Sequence, residues 1–219
     1  MLHLLRLLVG HGPFVSGYRP GVTSQPATAA QLWLVRHGET EWSAAGRHTS
    51  HTDLDLTEAG VAAATEVGRR LSSAGPFVQV LSSPRLRARR TAELAGFADA
   101  AVVEELAEWD YGDDEGLTTP QIREGRPGWT VWADGPCGGE SAEQVGARAD
   151  AVVARVRAAG GPVLAFSHGH FCRVLGARWV GLAATEGEHL KLSTASVSVL
   201  GWERDAPALV HWNDTGRLD

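Results

Sequence analysis

Two apolar runs, Gln31-Leu32-Trp33-Leu34-Val35 and Pro162-Val163-Leu164-Ala165-Phe166, both end at a histidine-glycine pair, Arg36-His37-Gly38 after the first and Ser167-His168-Gly169-His170 after the second. A short apolar run bounded by turn residues reads as a strand buried on both faces, the kind found in parallel sheets covered by helices. Open α/β sheets keep their ligands beyond the carboxyl ends of their strands. One pattern at two strand ends therefore predicts one shared site. An arginine fork matches phosphate oxygens, and a neighbouring imidazole can attack phosphorus. A single histidine after a strand is often only a hydrogen-bonded turn residue, and the second occurrence is what favours phosphoryl chemistry.

A third run, Val78-Gln79-Val80-Leu81, precedes Ser82-Ser83-Pro84 and an arginine-rich stretch from Arg85 to Glu93, which predicts strand, turn and helix. Thr57 reads as the N-cap of a helix from Glu58 through Leu71. Ser141 and Gln144 have capping-box spacing ahead of a helix bearing Val145, Val152, Val153 and Val156. Phe171, Val174, Leu175 and Trp179 are spaced for one buried face of a helix that starts beside His168. The segments 196–202 and 208–212 predict two strands joined by a polar turn. Together these elements predict an α/β protein, a three-layer α/β/α sandwich around one mostly parallel sheet.

No repeat or linker divides residues 31–219, which are expected to form one domain, and 219 residues with 43% hydrophobic content suffice for its core. Residues 1–30 stand apart. Leu2, Leu4, Leu5, Leu7 and Leu8 resemble a secretory apolar segment, but Arg6 interrupts it and no basic stretch precedes it. A loosely ordered extension or an upstream start is the favoured reading, too short to span a membrane. The net charge of −6 argues against nucleic acid as a partner. Only Cys137 and Cys172 are present, which implies no disulfide and fits a reduced, cytoplasmic protein.

Leu34-Val35-Arg36-His37-Gly38-Glu39-Thr40, Ser83-Pro84-Arg85-Leu86-Arg87-Ala88 and Ser167-His168-Gly169, in that order, resemble the three signatures of the histidine phosphatase superfamily, the phosphoglycerate-mutase-like proteins. The resemblance spans roughly residues 32 to 213. It implies that His37 attacks phosphorus through a neutral ring nitrogen while the other nitrogen donates to a nearby carbonyl, with Gly38 as a plausible position. It also implies that Arg36, Arg87 and a protonated His168 surround the phosphate, so that no metal or other cofactor is needed. Arg85, Arg89 and Arg90 are read as a solvated helix face. The general acid that the resemblance implies is assigned to Glu108, with Trp109 and Tyr111 raising its pKa by desolvation. That assignment predicts an activity optimum on the acidic side of neutral.

Ser43 and Thr49, where relatives often carry other residues, are phosphate-binding hydroxyls or simple turn residues in equal measure. The N-terminus of the helix after His168, with Gly169, adds to phosphate binding. His170 is assigned to substrate contact. A metal site at His168 and His170, or at His48 and His51, is disfavoured because no carboxylate or cysteine stands at ligand spacing. The segment 112–141 is read as a lid whose Trp129 and Trp132 pack, and an acidic run from Asp113 to Glu115 would repel a second phosphate unless turned away. The chain is also similar to a branch of sugar-bisphosphate phosphatases and bacterial acid phosphatases. A small phosphorylated substrate, foremost a sugar phosphate, is expected, with a mutase or a silent binding module as rivals.

Overall fold

The computed structural model describes residues 30–216. The reading of residues 1–30 as an extension therefore falls, Ala30 apart, outside the described residues. The first His-Gly strand is β1 (Gln31–Arg36) and the second is β4 (Pro162–Ser167). With β2 (Gln79–Ser82), β3 (Ala101–Val102), β5 (Val197–Glu203) and β6 (Ala206–Asp214) they form one sheet in the order β3-β2-β4-β1-β5-β6. Pairing is parallel from β3 through β1 and antiparallel at β1–β5 and β5–β6. Among the six, only β5 opposes the rest, so the sheet is mixed but mostly parallel.

Helices α1 (Glu41–Ala44), α2 (Glu58–Leu71), α3 (Leu86–Leu94), α4 (Thr119–Gly125), α5 (Ala142–Ala158) and α6 (Gly169–Trp179) connect the strands. Side chains alternate across a strand, and here the alternation feeds two cores. Leu32 and Leu34 of β1 join Val163 and Ala165 of β4 against Val145, Val152 and Val156 of α5 and Phe171 and Leu175 of α6. Val35, Leu164 and Phe166 point the other way, against Val67 and Leu71 of α2 and Ala92 of α3. Each fully buried Leu or Phe contributes about 1.5–3 kcal/mol. A one-residue slip of β1 against β4 would exchange the two sets, so packing holds the register that aligns their ends.

The capping signals are realised. Thr57 Oγ1 accepts from the Gly60 N–H, and Ser141 and Gln144 close a reciprocal capping box. Two-residue β3 and four-residue α1 were too short to show a period. Helix α4 did carry a signal, because Thr118 and Gln121 form a second capping box with Pro120 in the first turn. Ile122, Trp129, Val131 and Trp132 are all buried in the core, so the segment predicted as a lid is a packed wall and its tryptophans are packing residues. No helix among the described residues is long and apolar enough to cross a membrane.

Candidate active site

Arg36 of β1 pairs with Ser167 of β4, and the His37 N–H donates to the Ser167 carbonyl at 2.9 Å. The residues that follow these strand ends, His37 and His168, therefore lie side by side, with ring centroids 5.2 Å apart. On the other side of β4, Ser83 leaves β2 with its N–H on the Phe166 carbonyl and its hydroxyl 2.6 Å from His168 Nε2. The turn after β1 needs glycine for space, because a Cβ on Gly38 would stand 2.6 Å from the Gly60 carbonyl oxygen at the start of α2.

His37 Nδ1 lies 2.7 Å from the Gly38 carbonyl oxygen. A carbonyl only accepts, so Nδ1 carries the proton and Nε2 keeps its lone pair. Burial, then Arg87 and Arg36, push the His37 pKa well below its usual value and keep the ring neutral. The Gly38 N–H donates to Thr91 Oγ1, whose hydroxyl donates to the Arg87 carbonyl, which ties the turn to α3.

Arg87 is fully buried beneath this turn. Its Nε donates to His168 Nδ1 at 3.2 Å, and its terminal nitrogens donate to the carbonyls of Thr49, Ser50 and Thr52. His168 Nδ1 is thus an acceptor, and burial followed by Arg87 pushes its pKa well down. The protonated His168 implied by the resemblance is not the state of this geometry, because a guanidinium faces the nitrogen that would carry the second proton. Arg36 sends Nη1 to the Leu192 carbonyl and has a buried Nε with no partner among the described residues.

Glu108 is buried and meets α6 from 62 positions before His170. Its Oε1 accepts from the N–H groups of Trp109 and Phe171, and its Oε2 from that of His170. Two expectations change here. The carboxyl sits among N–H donors, not in the apolar cage predicted from Trp109 and Tyr111. Helix α6 spends two of its free N–H groups, those of His170 and Phe171, on Glu108 and not on the cavity.

A cavity of about 200 Å³ is lined by Arg36, His37, Ser43, Thr49, Glu108, Gly169 and His170, so the structure gathers seven of the nine residues assigned from sequence. Arg87 and His168 stand behind His37 and do not line it. Both hydroxyls are committed: Ser43 closes the capping box of α1 by accepting from the Thr40 N–H and also donates to the Thr40 carbonyl, and Thr49 donates to that of Arg47. His170 Nδ1 meets the Tyr111 hydroxyl at 2.5 Å, and burial lowers the His170 pKa and raises that of Tyr111, so both are neutral.

Arg47, His48, Tyr111, Thr119, Arg173 and Leu192 also line the cavity and were not assigned to it from sequence. Arg173 was within reach of helical periodicity, one turn beyond Gly169. The acidic run turns away from the cavity. Asp114 pairs with Arg126, and Glu115 accepts from the Ser50 hydroxyl and from the Ser50 and Thr52 N–H groups. Of the arginines read as solvated, Arg89 is exposed and Arg90 pairs with Glu93, whereas Arg85 turns to His51 Nδ1 at 2.8 Å. No three His, Cys, Asp or Glu side chains among the described residues could jointly hold a metal. Cys137 is exposed and Cys172 buried, and both are free.

Arg36, His37 and Glu108 thus share one cavity, with His168 beside His37, at the strand ends of an α/β sandwich. The model of the histidine phosphatase superfamily, branch 1, matches residues 32–215, and the chain belongs to that superfamily. It is 45% identical over 191 residues to an acid phosphatase of Mycobacterium tuberculosis, covering 85% of this chain and 93% of the relative. It is 33% identical over 189 residues to sedoheptulose 1,7-bisphosphatase of Saccharomyces cerevisiae, covering 72% and 70%. A 2,3-bisphosphoglycerate-dependent phosphoglycerate mutase of Methylobacterium radiotolerans is 35% identical over 181 residues, covering 74% and 85%. Among solved structures, that of a Mycobacterium tuberculosis open reading frame superposes with a TM-score of 0.83 at 44% identity, over 86% of this chain and 99% of the other. A mycobacterial glucosyl-3-phosphoglycerate phosphatase gives 0.75 at 29%, over 85% and 100%.

Proposed function

We propose that the chain is a phosphomonoester hydrolase that needs no metal, works through a phosphohistidine on His37, and acts on small phosphorylated metabolites, foremost sugar phosphates. The observation that carries the reading is the bond from His37 Nδ1 to the Gly38 carbonyl, which leaves Nε2 as a neutral nucleophile in a cavity shared with Arg36 and Glu108. Nε2 attacks phosphorus, the bond from phosphorus to the ester oxygen breaks, and protonated Glu108 gives its proton to the departing alkoxide. Water then attacks the phosphohistidine, its proton passes to the Glu108 carboxylate, and the P–N bond breaks to release phosphate.

The transferring group needs fixed positive donors. Arg36 supplies them at the cavity wall, and Arg87 supplies charge from behind His37. His168 accepts from Arg87 Nε and so holds that guanidinium behind His37. Ser43 and Thr49 shape the loop, and the Gly169 N–H and His170 face the substrate. The names of the acid phosphatase and sedoheptulose bisphosphatase relatives support hydrolysis of sugar phosphates; the compact stretch from Tyr111 to Ser141, without a long insertion to exclude water, supports hydrolysis over a mutase.

Phosphate release from phosphosugars and phosphoglycerates, with chelator present, tests the reading in wild type and His37→Ala. Turnover should fall by at least about a thousandfold in the variant, and an acid-labile phosphoenzyme seen in rapid-quench labelling should vanish. Undiminished turnover by His37→Ala would overturn the assignment. Isomerised phosphoglycerate without free phosphate would make the protein a mutase.

A further inference from the structure

Residues 107–110, which carry Glu108, belong to neither helix nor strand, so their backbone carbonyls need partners from elsewhere. One side chain reaches three carbonyls here. Arg148, half-buried on α5, donates from Nη1 to the carbonyls of Glu105 and Ala107 at 2.9 and 3.0 Å, and from Nη2 to that of Glu108 at 3.2 Å. Its Nε and Nη2 also reach the two carboxylate oxygens of Glu140, each at 2.7 Å. A guanidinium has five N–H donors, and all five are placed.

Glu140 completes the bracket. Its Oε2 accepts from the Asp110 N–H at 2.9 Å, its carbonyl accepts from Trp109 Nε1 at 2.8 Å, and its N–H donates to the Asp110 carbonyl at 3.0 Å. A Cβ on the preceding residue, Gly139, would collide with that same carbonyl, so the close approach of the two segments needs glycine there. Carboxylate and guanidinium neutralise each other, so the bracket fixes geometry without presenting a net charge to the acid. The Arg148 guanidinium also lies 4.8 Å from the centroid of the Phe171 ring, and the Phe171 N–H donates to Glu108 Oε1 at 2.8 Å. Glu108 is thus held by its backbone from α5 and by its carboxyl from α6. Neither Arg148 nor Glu140 lines the cavity that holds His37.

We propose that Arg148, held by Glu140, is a positioning residue for the general acid: it fixes residues 105–108 and thereby sets where the Glu108 carboxyl stands relative to the leaving oxygen. The proposal rests on the phosphatase reading, in which Glu108 protonates the departing alkoxide. Proton transfer requires hydrogen-bond reach, and a displacement of about 1 Å can cost about a hundredfold in rate. Lysine keeps the charge opposite Glu140, but its point-like ammonium cannot span a carboxylate and three carbonyls. Arg148→Lys therefore separates the fork from the charge.

The test compares kcat/KM for glycerol 2-phosphate, whose alkoxide needs a proton, with kcat/KM for p-nitrophenyl phosphate, whose phenolate leaves without one. Arg148→Lys should lower the ratio of the two about tenfold to a hundredfold. In a Glu108→Gln background, where the acid is already gone, it should lower the ratio no further. A bracket that only supports the fold would lower both esters alike and add its loss to that of Glu108→Gln, and either result would overturn the proposal. Should Arg148→Lys fail to fold, Glu140→Gln decides, because its amide turns an NH2 group toward a donor of Arg148. A smaller drop in the same ratio is then expected, and an unchanged ratio would overturn the proposal. Loss confined to the alkyl ester in Glu108→Gln but not in Arg148→Lys would overturn the proposal alone. Equal losses on both esters in Glu108→Gln would overturn the general-acid reading and the proposal with it, as would a wild type that hydrolyses no alkyl phosphate.

Discussion

Gly169 shows how much of this site depends on a missing side chain. A Cβ there would stand 3.3 Å from both Cζ and Nε of Arg36, tighter than ordinary contact, so the guanidinium would have to yield by a few tenths of an ångström. Misplacing a charge that stabilises a transferring phosphoryl group costs rate more than it costs fold. Gly169→Ala should therefore reduce kcat/KM by about tenfold or more with little change in melting temperature, as steady-state kinetics beside a thermal melt would reveal; an unaltered kcat/KM would show that Arg36 is not so constrained. His37 and Arg36 were legible in the sequence because both follow a strand directly. The commitments of Ser43 and Thr49 were not, because a hydroxyl beside a turn looks the same whether it faces a ligand or a carbonyl.

Helix α6 and the segment before α4 are joined through one carboxylate. Glu108 accepts the His170 and Phe171 N–H groups that the first turn of α6 leaves open, so it caps the helix from across the cavity. Glu108→Ala should uncap α6 and cost about 1–2 kcal/mol of stability. Glu108→Gln, which keeps an acceptor oxygen, should cost less. Both should lose the general acid, with rates on an alkyl phosphate down by about a hundred- to ten-thousandfold and a smaller loss on p-nitrophenyl phosphate, whose phenolate leaves without protonation. Denaturant melts separate the two variants and kinetics unites them; equal stability of both would remove the capping role. The periodicity of α6 announced its buried face, Phe171, Val174, Leu175 and Trp179. Its cap was hidden because the partner lies about sixty positions upstream and no local pattern links them.

Across the molecule, three histidines of the site, His37 and His168 buried and His170 half-buried, link acidity to stability. His37, His168 and His170 all have pKa values pushed well below 6.5 by burial and neighbouring positive charge. Below pH 6.5 the unfolded chain takes up protons at these positions and the folded chain does not. Their contribution is therefore unimpaired above about pH 6.5 and falls as pH drops from there toward their folded values, by up to about 1.4 kcal/mol per pH unit for each histidine. Melting temperatures should decline below pH 6.5, and phosphate, if the proposed site binds it, should offset part of the decline. A melt profile flat from pH 6.5 to 5 would mean that these rings charge freely in the fold. By itself the sequence determined the two strands, their His-Gly ends, the capped helices and the family, because each is written in residues adjacent or one turn apart. Only the tertiary structure decided which donors are free, since Arg87, Glu108 and Arg148 each meet partners far along the chain. Burial then set which histidines stay neutral, and contacts between distant segments put Arg148 against the carbonyls around Glu108.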